Sequence, residues 1–166
     1  MRFISRQLHA DFSVARPPLL ETERAPDNGI LNMPEPKKNH KILVVDDDLL
    51  SQKMLTTMLS KMGYRSDLAG NGLEALQLLS ERHYDLILMD IQMPVMDGYT
   101  ATRHICTDNS GYPILNRGMP IIALTSDDTW HAKSACREVG MSDFLTKPVR
   151  MKHLEEIIKS WLMTGT

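Results

Sequence analysis

The spacing of apolar residues changes near residue 39 of the chain. Before that point, apolar side chains are scattered among charged residues, and five of the nine prolines lie in the first 36 residues. No stretch of this segment keeps a helical or a strand period over any length. We therefore expect residues 1–38 to form a disordered tail or linker, and residues 39–163 to form one folded domain.

From residue 41 onward, short apolar runs alternate with amphipathic segments. The runs predict five strands, at Lys41–Val45, Tyr64–Ala69, Asp85–Met89, Met119–Leu124 and Ser142–Thr146. After each strand, apolar residues recur at helical spacing, which predicts five helices. In the first helix, Leu49–Met62, the apolar stripe consists of Leu50, Met54, Leu55, Met58, Leu59 and Met62.

Residues with known capping preferences mark the ends of several predicted helices. Asn71 can cap the second helix, with Glu74 three residues later as in a capping box. Asp97 can cap the third helix, predicted to begin at the next residue. Gly63 and Gly140 follow helical stripes and suit the position after a helix, where the backbone turns left-handed.

Five strand–helix repeats in about 125 residues predict an α/β fold with a doubly wound, five-stranded parallel sheet. The central strands are nearly all apolar, as expected for strands that are covered on both faces. In such sheets, ligands bind beyond the carboxyl ends of the strands. The residues at the strand ends are therefore where the chemistry of this protein is expected.

Charged and polar residues follow four of the predicted strands. They are Asp46, Asp47 and Asp48, then Asp90, then Thr125 and Ser126, and finally Lys147 and Pro148. Carboxylates brought together at one edge repel each other, by about 4 kcal/mol per pair at ~4 Å and an effective dielectric near 20. A hard divalent cation offsets this repulsion, and Mg²⁺ suits a site with a few carboxylates and bound water. Asp48 alone is also well placed to cap the first helix.

A lysine and a threonine beside a carboxylate–metal cluster favour a phosphoryl-binding pocket. The metal and the Lys147 ammonium would neutralise phosphoryl oxygens, and the Thr125 hydroxyl would donate a hydrogen bond to one of them. The chain has no serine or cysteine with an obvious paired base. Asp90 is therefore the natural nucleophile, and its product would be an acyl phosphate.

Four segments in order resemble the receiver domain of two-component response regulators. They are KILVVDDD, DLILMDIQMPVMDG, PIIALTS and MSDFLTKPV, within residues 40–163. The resemblance is strongest to receivers of hybrid sensor histidine kinases. It implies a flavodoxin-like (βα)5 fold with strand order 2-1-3-4-5.

The resemblance assigns a role to each residue of the candidate metal site. Asp90 would be the phosphoacceptor and would also contact Mg²⁺. Asp47 would bind the ion directly and Asp46 through water. The backbone carbonyl of Gln92 would be the remaining protein ligand, which leaves the Gln92 side chain free to vary.

Other positions match residues that the family uses for switching and for shaping the site. Thr125 would bind a phosphoryl oxygen and move on activation. Phe144 stands at the switch aromatic position, and Lys147 would pair with the phosphoryl group before a cis peptide bond to Pro148. The loop after Asp90 would be shaped by Met93–Pro94 and Asp97–Gly98. Ser126 and Asp127 depart modestly from the pattern.

The function that the resemblance implies is that of a phosphoacceptor in two-component or phosphorelay signalling. A histidine kinase or a histidine phosphotransfer protein would donate the phosphoryl group to Asp90, and phosphorylation would switch the far helix face for partner binding. The domain would catalyse only its own phosphorylation and dephosphorylation, with any kinase activity elsewhere. Few residues follow the last helix, so we expect either a stand-alone receiver or the terminal piece of a longer hybrid kinase.

Two alternatives stay open from the sequence. One is a phosphorylation-independent binding module on the same fold, although such modules are expected to lose the acidic pair, the acceptor or the lysine. The other is a Mg²⁺-dependent phosphohydrolase with an aspartyl nucleophile. Such enzymes carry a second acid two residues after the nucleophile, where this chain has Gln92.

Composition excludes several other classes of protein. The chain has 19 basic and 21 acidic residues, a net charge of -2, which argues against binding nucleic acid through bulk charge. No apolar run approaches the ~18 residues of a membrane span. Two cysteines without a CxxC spacing argue against a disulfide scaffold or a zinc site. We expect a cytoplasmic protein that contacts neither nucleic acid nor membrane.

Trp130 lies near the start of the predicted fourth helix, off its apolar stripe. One interpretation is that Trp130 belongs to a partner surface, or to a homodimer formed through the face from the fourth to the fifth helix. The other is that it is partly buried against a neighbouring helix.

Overall fold

The computed structural model describes residues 40–107, 111–127 and 129–162, all within the compact unit Met33–Thr166. In these ranges the strands are β1 (Lys41–Val45), β2 (Arg65–Ala69), β3 (Leu86–Asp90), β4 (Ile121–Thr125) and β5 (Asp143–Thr146). The helices are α1 (Leu49–Lys61), α2 (Gly72–Glu81), α3 (Gly98–Cys106), α4 (Trp130–Glu138) and α5 (Met151–Leu162). The predicted alternation is confirmed, and the predicted tail at 1–38 lies outside the described residues.

The strands form one parallel sheet in the order β2-β1-β3-β4-β5. This confirms the predicted α/β class and the strand order that the resemblance implies. Because the strands are parallel, their carboxyl ends meet at one edge of the sheet. That edge is where sheets of this kind bind ligands.

Apolar side chains cover both faces of the sheet. On one face, residues such as Leu43 and Ile87 pack with α2, α3 and α4. On the other face, residues such as Ile42 and Leu86 pack with α1 and α5. The strands β1, β3 and β4 are therefore almost entirely buried, which explains their continuous apolar sequences.

Side-chain caps hold the starts of four helices. The caps of α1 to α4 are Asp48, Asn71, Asp97 and Thr129, each of which accepts a hydrogen bond from a backbone N–H in the first turn. Gly63 follows α1 with a φ of 83°, and Gly140 follows α4 with a φ of 101°. The caps at Asp48, Asn71 and Asp97 and both glycine stops agree with the predictions, whereas the Thr129 cap was not predicted.

Two strands extend one residue further than their apolar runs predict. Asp90 belongs to β3, where it is paired with Leu124. Thr125 belongs to β4, where it is paired with Thr146. The ladder continues through these polar residues because backbone pairing does not depend on apolar side chains. Asp90 and Thr125 are thereby fixed by the sheet itself rather than by a loop.

Leu50 belongs to the predicted apolar stripe of α1 but does not pack into the core. Its side chain is 74% exposed, because α1 begins just after β1 and its first turn lies beyond the ends of the strands. Gln52 is buried instead, and its Nε2 donates to the Asp46 carbonyl oxygen at 2.6 Å. A polar side chain occupies this core position because it satisfies a buried backbone acceptor.

The loop between α3 and β4 is tied to the end of α3 by Arg117. The Arg117 guanidinium donates to the carbonyl oxygens of Ile105 at 2.8 Å and Thr107 at 2.6 Å. It also donates to the Tyr112 carbonyl oxygen within the loop, at 3.2 Å. Carbonyls at a helix end lack partners within the helix, so the guanidinium acts as a charged cap.

Replacing Arg117 by methionine is expected to lower the free energy of unfolding by about 2 kcal/mol, since several hydrogen bonds to a charged group are lost together. Urea denaturation followed by circular dichroism would measure the change. Arg65→Met is the control, because Arg65 is exposed and begins an edge strand. Equal effects of the two substitutions would show that Arg117 does not hold the loop.

No helix in the described part of the chain combines the length and the apolar character that crossing a membrane requires.

Candidate functional site

Three carboxylates meet at the carboxyl edge of the sheet. Asp46 and Asp47 follow β1, and Asp90 ends β3. One oxygen from each lies within 4.8 Å of the other two. Asp46 and Asp90 are buried, whereas Asp47 is exposed. The cluster therefore consists of two buried carboxylates and one that is open to solvent.

Asp46 is fixed by groups from the start of α1. Its Oδ1 accepts the Asp48 backbone N–H at 2.9 Å, and its Oδ2 accepts the Ser51 hydroxyl at 2.6 Å. The sequence analysis did not identify Ser51. It also missed Gln52, whose side chain donates to the Asp46 carbonyl oxygen. The only signal was a pair of polar residues in the first turns of an amphipathic helix that follows the aspartates.

Lys147 joins two of the carboxylates from the opposite side of the site. Its Nζ donates to Asp46 Oδ2 at 2.8 Å and to Asp90 Oδ2 at 2.6 Å. The peptide bond between Lys147 and Pro148 is cis. Burial lowers the pKa of Lys147, but the two hydrogen bonds and the two negative charges outweigh burial, so the pKa is raised overall. Lys147 is therefore a fixed ammonium.

Asp90 lies between this lysine and the loop after β3. Its Oδ1 accepts the Gln92 backbone N–H at 3.3 Å. Burial raises the pKa of Asp90 above its ordinary value, and the Lys147 hydrogen bond and charge only partly oppose this. A carboxylate that is shielded from water and oriented by a lysine is suited to act as a nucleophile.

A cavity of about 220 Å³ opens beside Asp90. Its lining includes Gln92, Tyr99, Thr125, Asp127 and Lys147. Burial raises the pKa of Tyr99 to about 12, so its hydroxyl stays protonated. The cavity thus places hydroxyl groups and an ammonium around the free side of the carboxylate.

The Thr125 hydroxyl takes part in two hydrogen bonds with Asp127. It donates to the Asp127 carbonyl oxygen at 2.9 Å and accepts the Asp127 backbone N–H at 3.0 Å. The Asp127 carboxylate accepts the Thr129 backbone N–H at 2.8 Å, and this bond, followed by one from the Thr129 hydroxyl, lowers the pKa of Asp127. Thr125 is therefore linked to the cap of α4.

The loop between β3 and α3 approaches Asp90 very closely. The Gly98 N–H donates to the Ile91 carbonyl oxygen at 3.0 Å. A Cβ at Gly98 would overlap the Asp90 carbonyl oxygen, so only glycine fits here. Val95 has a φ of 67°, and Met93 and Pro94 line an open cleft next to Asp47.

Three of the residues singled out from the sequence lie outside the three-carboxylate cluster. Phe144 is half-buried on β5 and packs against the core under α4. Trp130 is the first residue of α4 and is 73% exposed, with its ring edge-on to His131 at 5.4 Å between centroids. Asp48 caps α1 and lies outside the three-carboxylate cluster.

The sequence around this site matches a known protein family. Residues 42–159 match the sequence model of the response regulator receiver domain. The chain belongs to this family. The receiver domain is a signalling module of two-component systems, and the matched residues include every member of the carboxylate and lysine site.

Curated relatives of this receiver domain are hybrid signalling proteins and sensor kinases. The hybrid signal transduction protein dokA of Dictyostelium discoideum is 38% identical over 130 residues, which cover 78% of the chain and 7% of that protein. The sensor histidine kinase RcsC of Escherichia coli is 35% identical over 117 residues, or 70% of the chain and 12% of that protein. The chain therefore spans a small part of these relatives' length.

Solved receiver structures share the fold. A receiver domain of a Pseudomonas aeruginosa sensor histidine kinase, with magnesium coordinated in its active site cleft, is 37% identical with a TM-score of 0.66; the match covers 75% of this chain and 98% of that one. A co-crystal structure of the Saccharomyces cerevisiae phosphotransfer protein Ypd1 with the receiver domain of Ssk1 matches at 30% identity and a TM-score of 0.66, covering 77% of this chain and 92% of that one. The predicted flavodoxin-like receiver fold is confirmed.

Proposed function

We propose that this receiver domain accepts a phosphoryl group from a phosphohistidine onto Asp90 in a Mg²⁺-dependent reaction. The observation that carries the proposal is the position of Asp90, whose Oδ2 is held by Lys147 at 2.6 Å within a cluster that also contains Asp46 and Asp47. The cluster combines a nucleophile, a fixed cation and oxygen ligands at one sheet edge.

The donor set fits magnesium. Three carboxylates with oxygens within 4.8 Å of one another are hard ligands of the kind that Mg²⁺ prefers. Asp47, Asp90 and the Gln92 carbonyl would hold the ion. Asp46 would contact it through water, because its Oδ2 already accepts from Ser51 and Lys147. When bound, the ion supplies positive charge to the phosphoryl oxygens.

The chain's own residues would carry the transfer. Asp90 attacks the phosphorus, so an oxygen–phosphorus bond forms while the bond to the histidine nitrogen breaks, and the imidazole leaves with the electron pair. Lys147 and Thr125 would bind phosphoryl oxygens and stabilise the charge that spreads over them in the transition state. Water later attacks the acyl phosphate and returns Asp90 to its free form.

Exposed apolar side chains lie at the same end of the sheet as the site, which suits docking of a protein donor. Among the described residues, the four most exposed large apolar side chains are Leu49, Leu50, Val95 and Trp130, each 73% exposed or more. All four follow the carboxyl end of a strand, so they lie at the same end of the sheet as the acidic cluster. Exposed apolar groups around a reactive centre favour docking of another protein, here a histidine kinase or a histidine phosphotransfer protein.

Phosphotransfer from a purified, phosphorylated histidine phosphotransfer protein tests the proposed function. The label is expected to move to the wild-type chain in the presence of Mg²⁺ and to remain on the donor with the Asp90→Asn variant. Removal of Mg²⁺ by a chelator is expected to stop transfer. Binding of the donor without any transfer would instead support a phosphorylation-independent binding module.

Trp130→Ala is expected to weaken donor binding by roughly 10-fold while leaving the free energy of unfolding within about 0.5 kcal/mol, because an exposed aromatic contributes to docking and little to the core. Leu115→Ala is the control, since Leu115 is exposed in the loop that precedes β4, at the amino ends of the strands. Titration calorimetry and urea denaturation measure both quantities. Unchanged affinity with lower stability would identify Trp130 as a packing residue.

The cellular setting is part of the proposal. Cys106 and Cys136 are free thiols, which fits the reducing cytoplasm. The relatives suggest that this domain relays phosphate within a larger hybrid system or between separate proteins. A homodimer through the face from α4 to α5 stays a prediction.

A further inference from the structure

A lysine of α4 lies over an aromatic ring of β5. The Lys133 ammonium is 4.5 Å from the centroid of the Phe144 ring, within the range of a cation–π contact. Both side chains are half-buried. Among the described residues, no carboxylate comes within ion-pair distance of Lys133, so no ion pair competes with its contact to the ring.

The Phe144 ring lies on the same side of the sheet as the Thr125 side chain. Phe144 is paired with Ala123, and Thr125 lies two residues further along β4. Side chains alternate between the faces of a sheet, so residues two apart share a face. That face is the one covered by α4. Lys133 therefore contacts the sheet close to the residue that would bind the phosphoryl group.

The start of α4 is attached to the same threonine by hydrogen bonds. The Thr125 hydroxyl donates to the Asp127 carbonyl oxygen, and the Asp127 carboxylate accepts the Thr129 backbone N–H. Thr129 caps α4. The helix is thus held at two points, by the Thr125–Asp127 bonds at its start and by Lys133 on Phe144 one turn later.

A phosphoryl oxygen would compete for the first of these attachments. A hydroxyl has a single proton to donate. If Thr125 donates that proton to a phosphoryl oxygen, its bond to the Asp127 carbonyl breaks. The start of α4 is then held by the Asp127 N–H bond to the Thr125 hydroxyl alone, and the contact between Lys133 and Phe144 opposes movement of the helix.

We propose that Lys133 is a positioning residue that latches α4 to β5 in the resting domain, and that phosphoryl binding works against this latch. The inference rests on the proposed function. It follows that loss of the latch favours the phosphoryl-bound state, because a contact present only in the resting state stabilises that state alone.

The proposal is tested by measuring the affinity of the domain for fluoroberyllate, a stable phosphoryl analogue, in the presence of saturating Mg²⁺. The Lys133→Met variant is expected to bind the analogue roughly two- to fivefold more tightly than the wild type, the range that a partly solvated cation–π contact supports. Lys133→Arg keeps a cation over the ring and is expected to bind like the wild type. Lys53→Met, which removes an exposed lysine from α1, is the charge-matched control.

A spectroscopic readout distinguishes a latch from a general effect on stability. The chain has three phenylalanines, so fluorophenylalanine labelling gives three fluorine signals, and the Phe144 signal is assigned by its loss in Phe144→Leu. In the resting protein, Lys133→Met is expected to shift the Phe144 signal towards its position in the fluoroberyllate complex. In the Phe144→Leu background, Lys133→Met is expected to leave the affinity unchanged.

The two failures are distinguishable. If the wild type binds fluoroberyllate but Lys133→Met matches it, or matches Lys53→Met, the latch is contradicted and the phosphoacceptor function is not. Tighter binding that persists in the Phe144→Leu background also contradicts the latch, since the effect would not pass through the ring. A wild type that binds no fluoroberyllate contradicts the proposed function and the latch with it.

Discussion

Replacing Lys147 by methionine is expected to slow phosphorylation of Asp90 by about 100-fold or more, since removal of one preorganised charge donor from a transition state costs that much. Methionine keeps much of the length of the lysine side chain and removes only its ammonium. Lys147 holds Asp90 Oδ2 at 2.6 Å, so the variant loses both the orientation of the nucleophile and the cation for the phosphoryl oxygens. The rate of phosphorylation by acetyl phosphate, followed by mass spectrometry, measures the effect.

The same substitution is expected to destabilise the domain without magnesium by about 3 kcal/mol, because buried carboxylates lose the cation between them. Saturating Mg²⁺ is then expected to raise the melting temperature of Lys147→Met more than that of the wild type, since the ion replaces the missing charge. Lys152→Met, on the exposed side of α5, serves as the control. If Lys147→Met were phosphorylated as fast as the wild type, Lys147 would have no role in the transfer step.

Gly98→Ala is expected to lower the free energy of unfolding by about 3 kcal/mol or to displace the Asp90 backbone, because the new Cβ would overlap the Asp90 carbonyl oxygen. The neighbouring atoms belong to the backbone of Asp90 and Ile91, at the end of β3, and cannot rotate away. Phosphorylation at Asp90 is expected to fall as well, since the Asp90 carboxylate and the Gln92 carbonyl would move together. Urea denaturation and the acetyl phosphate assay measure the two effects.

Gly118→Ala is the matched control for this substitution. At Gly118 the nearest atom to a new Cβ is Asn116 Oδ1, at 4.0 Å, so the methyl group has room. We expect its stability to stay within about 0.5 kcal/mol of the wild type. A Gly98→Ala variant as stable and as active as Gly118→Ala would show that the loop after β3 adapts more freely than its contacts imply.

The sequence predicted a site residue well where the residue directly follows the apolar run of a strand. Because parallel strands end at a common edge, the positions of Asp90 and Thr125 follow from the apolar runs that precede them. The apolar runs did not predict that Asp90 and Thr125 belong to the strands themselves, because strand pairing also depends on the neighbouring strand. The caps at Asn71 and Asp97 were predictable because a cap side chain bonds to a backbone N–H only two or three residues later.

Contacts that depend on how the elements pack against one another could not be predicted in this way. Ser51 reaches Asp46 because the first turn of α1 lies beyond the ends of the strands, and its neighbour Leu50 is exposed for the same reason. Arg117 caps a helix that ends more than ten residues earlier, and Lys133 meets Phe144 from another element. Such pairs depend on tertiary placement, which periodicity does not contain.

The most direct test of the phosphoacceptor function is the intact mass of the chain after incubation with acetyl phosphate. Samples with and without Mg²⁺ would be compared for the wild type and for Asp90→Asn. We expect a gain of one phosphoryl group that requires both Mg²⁺ and Asp90. A gain that persists in Asp90→Asn, or one that is independent of Mg²⁺, would contradict the account of this site.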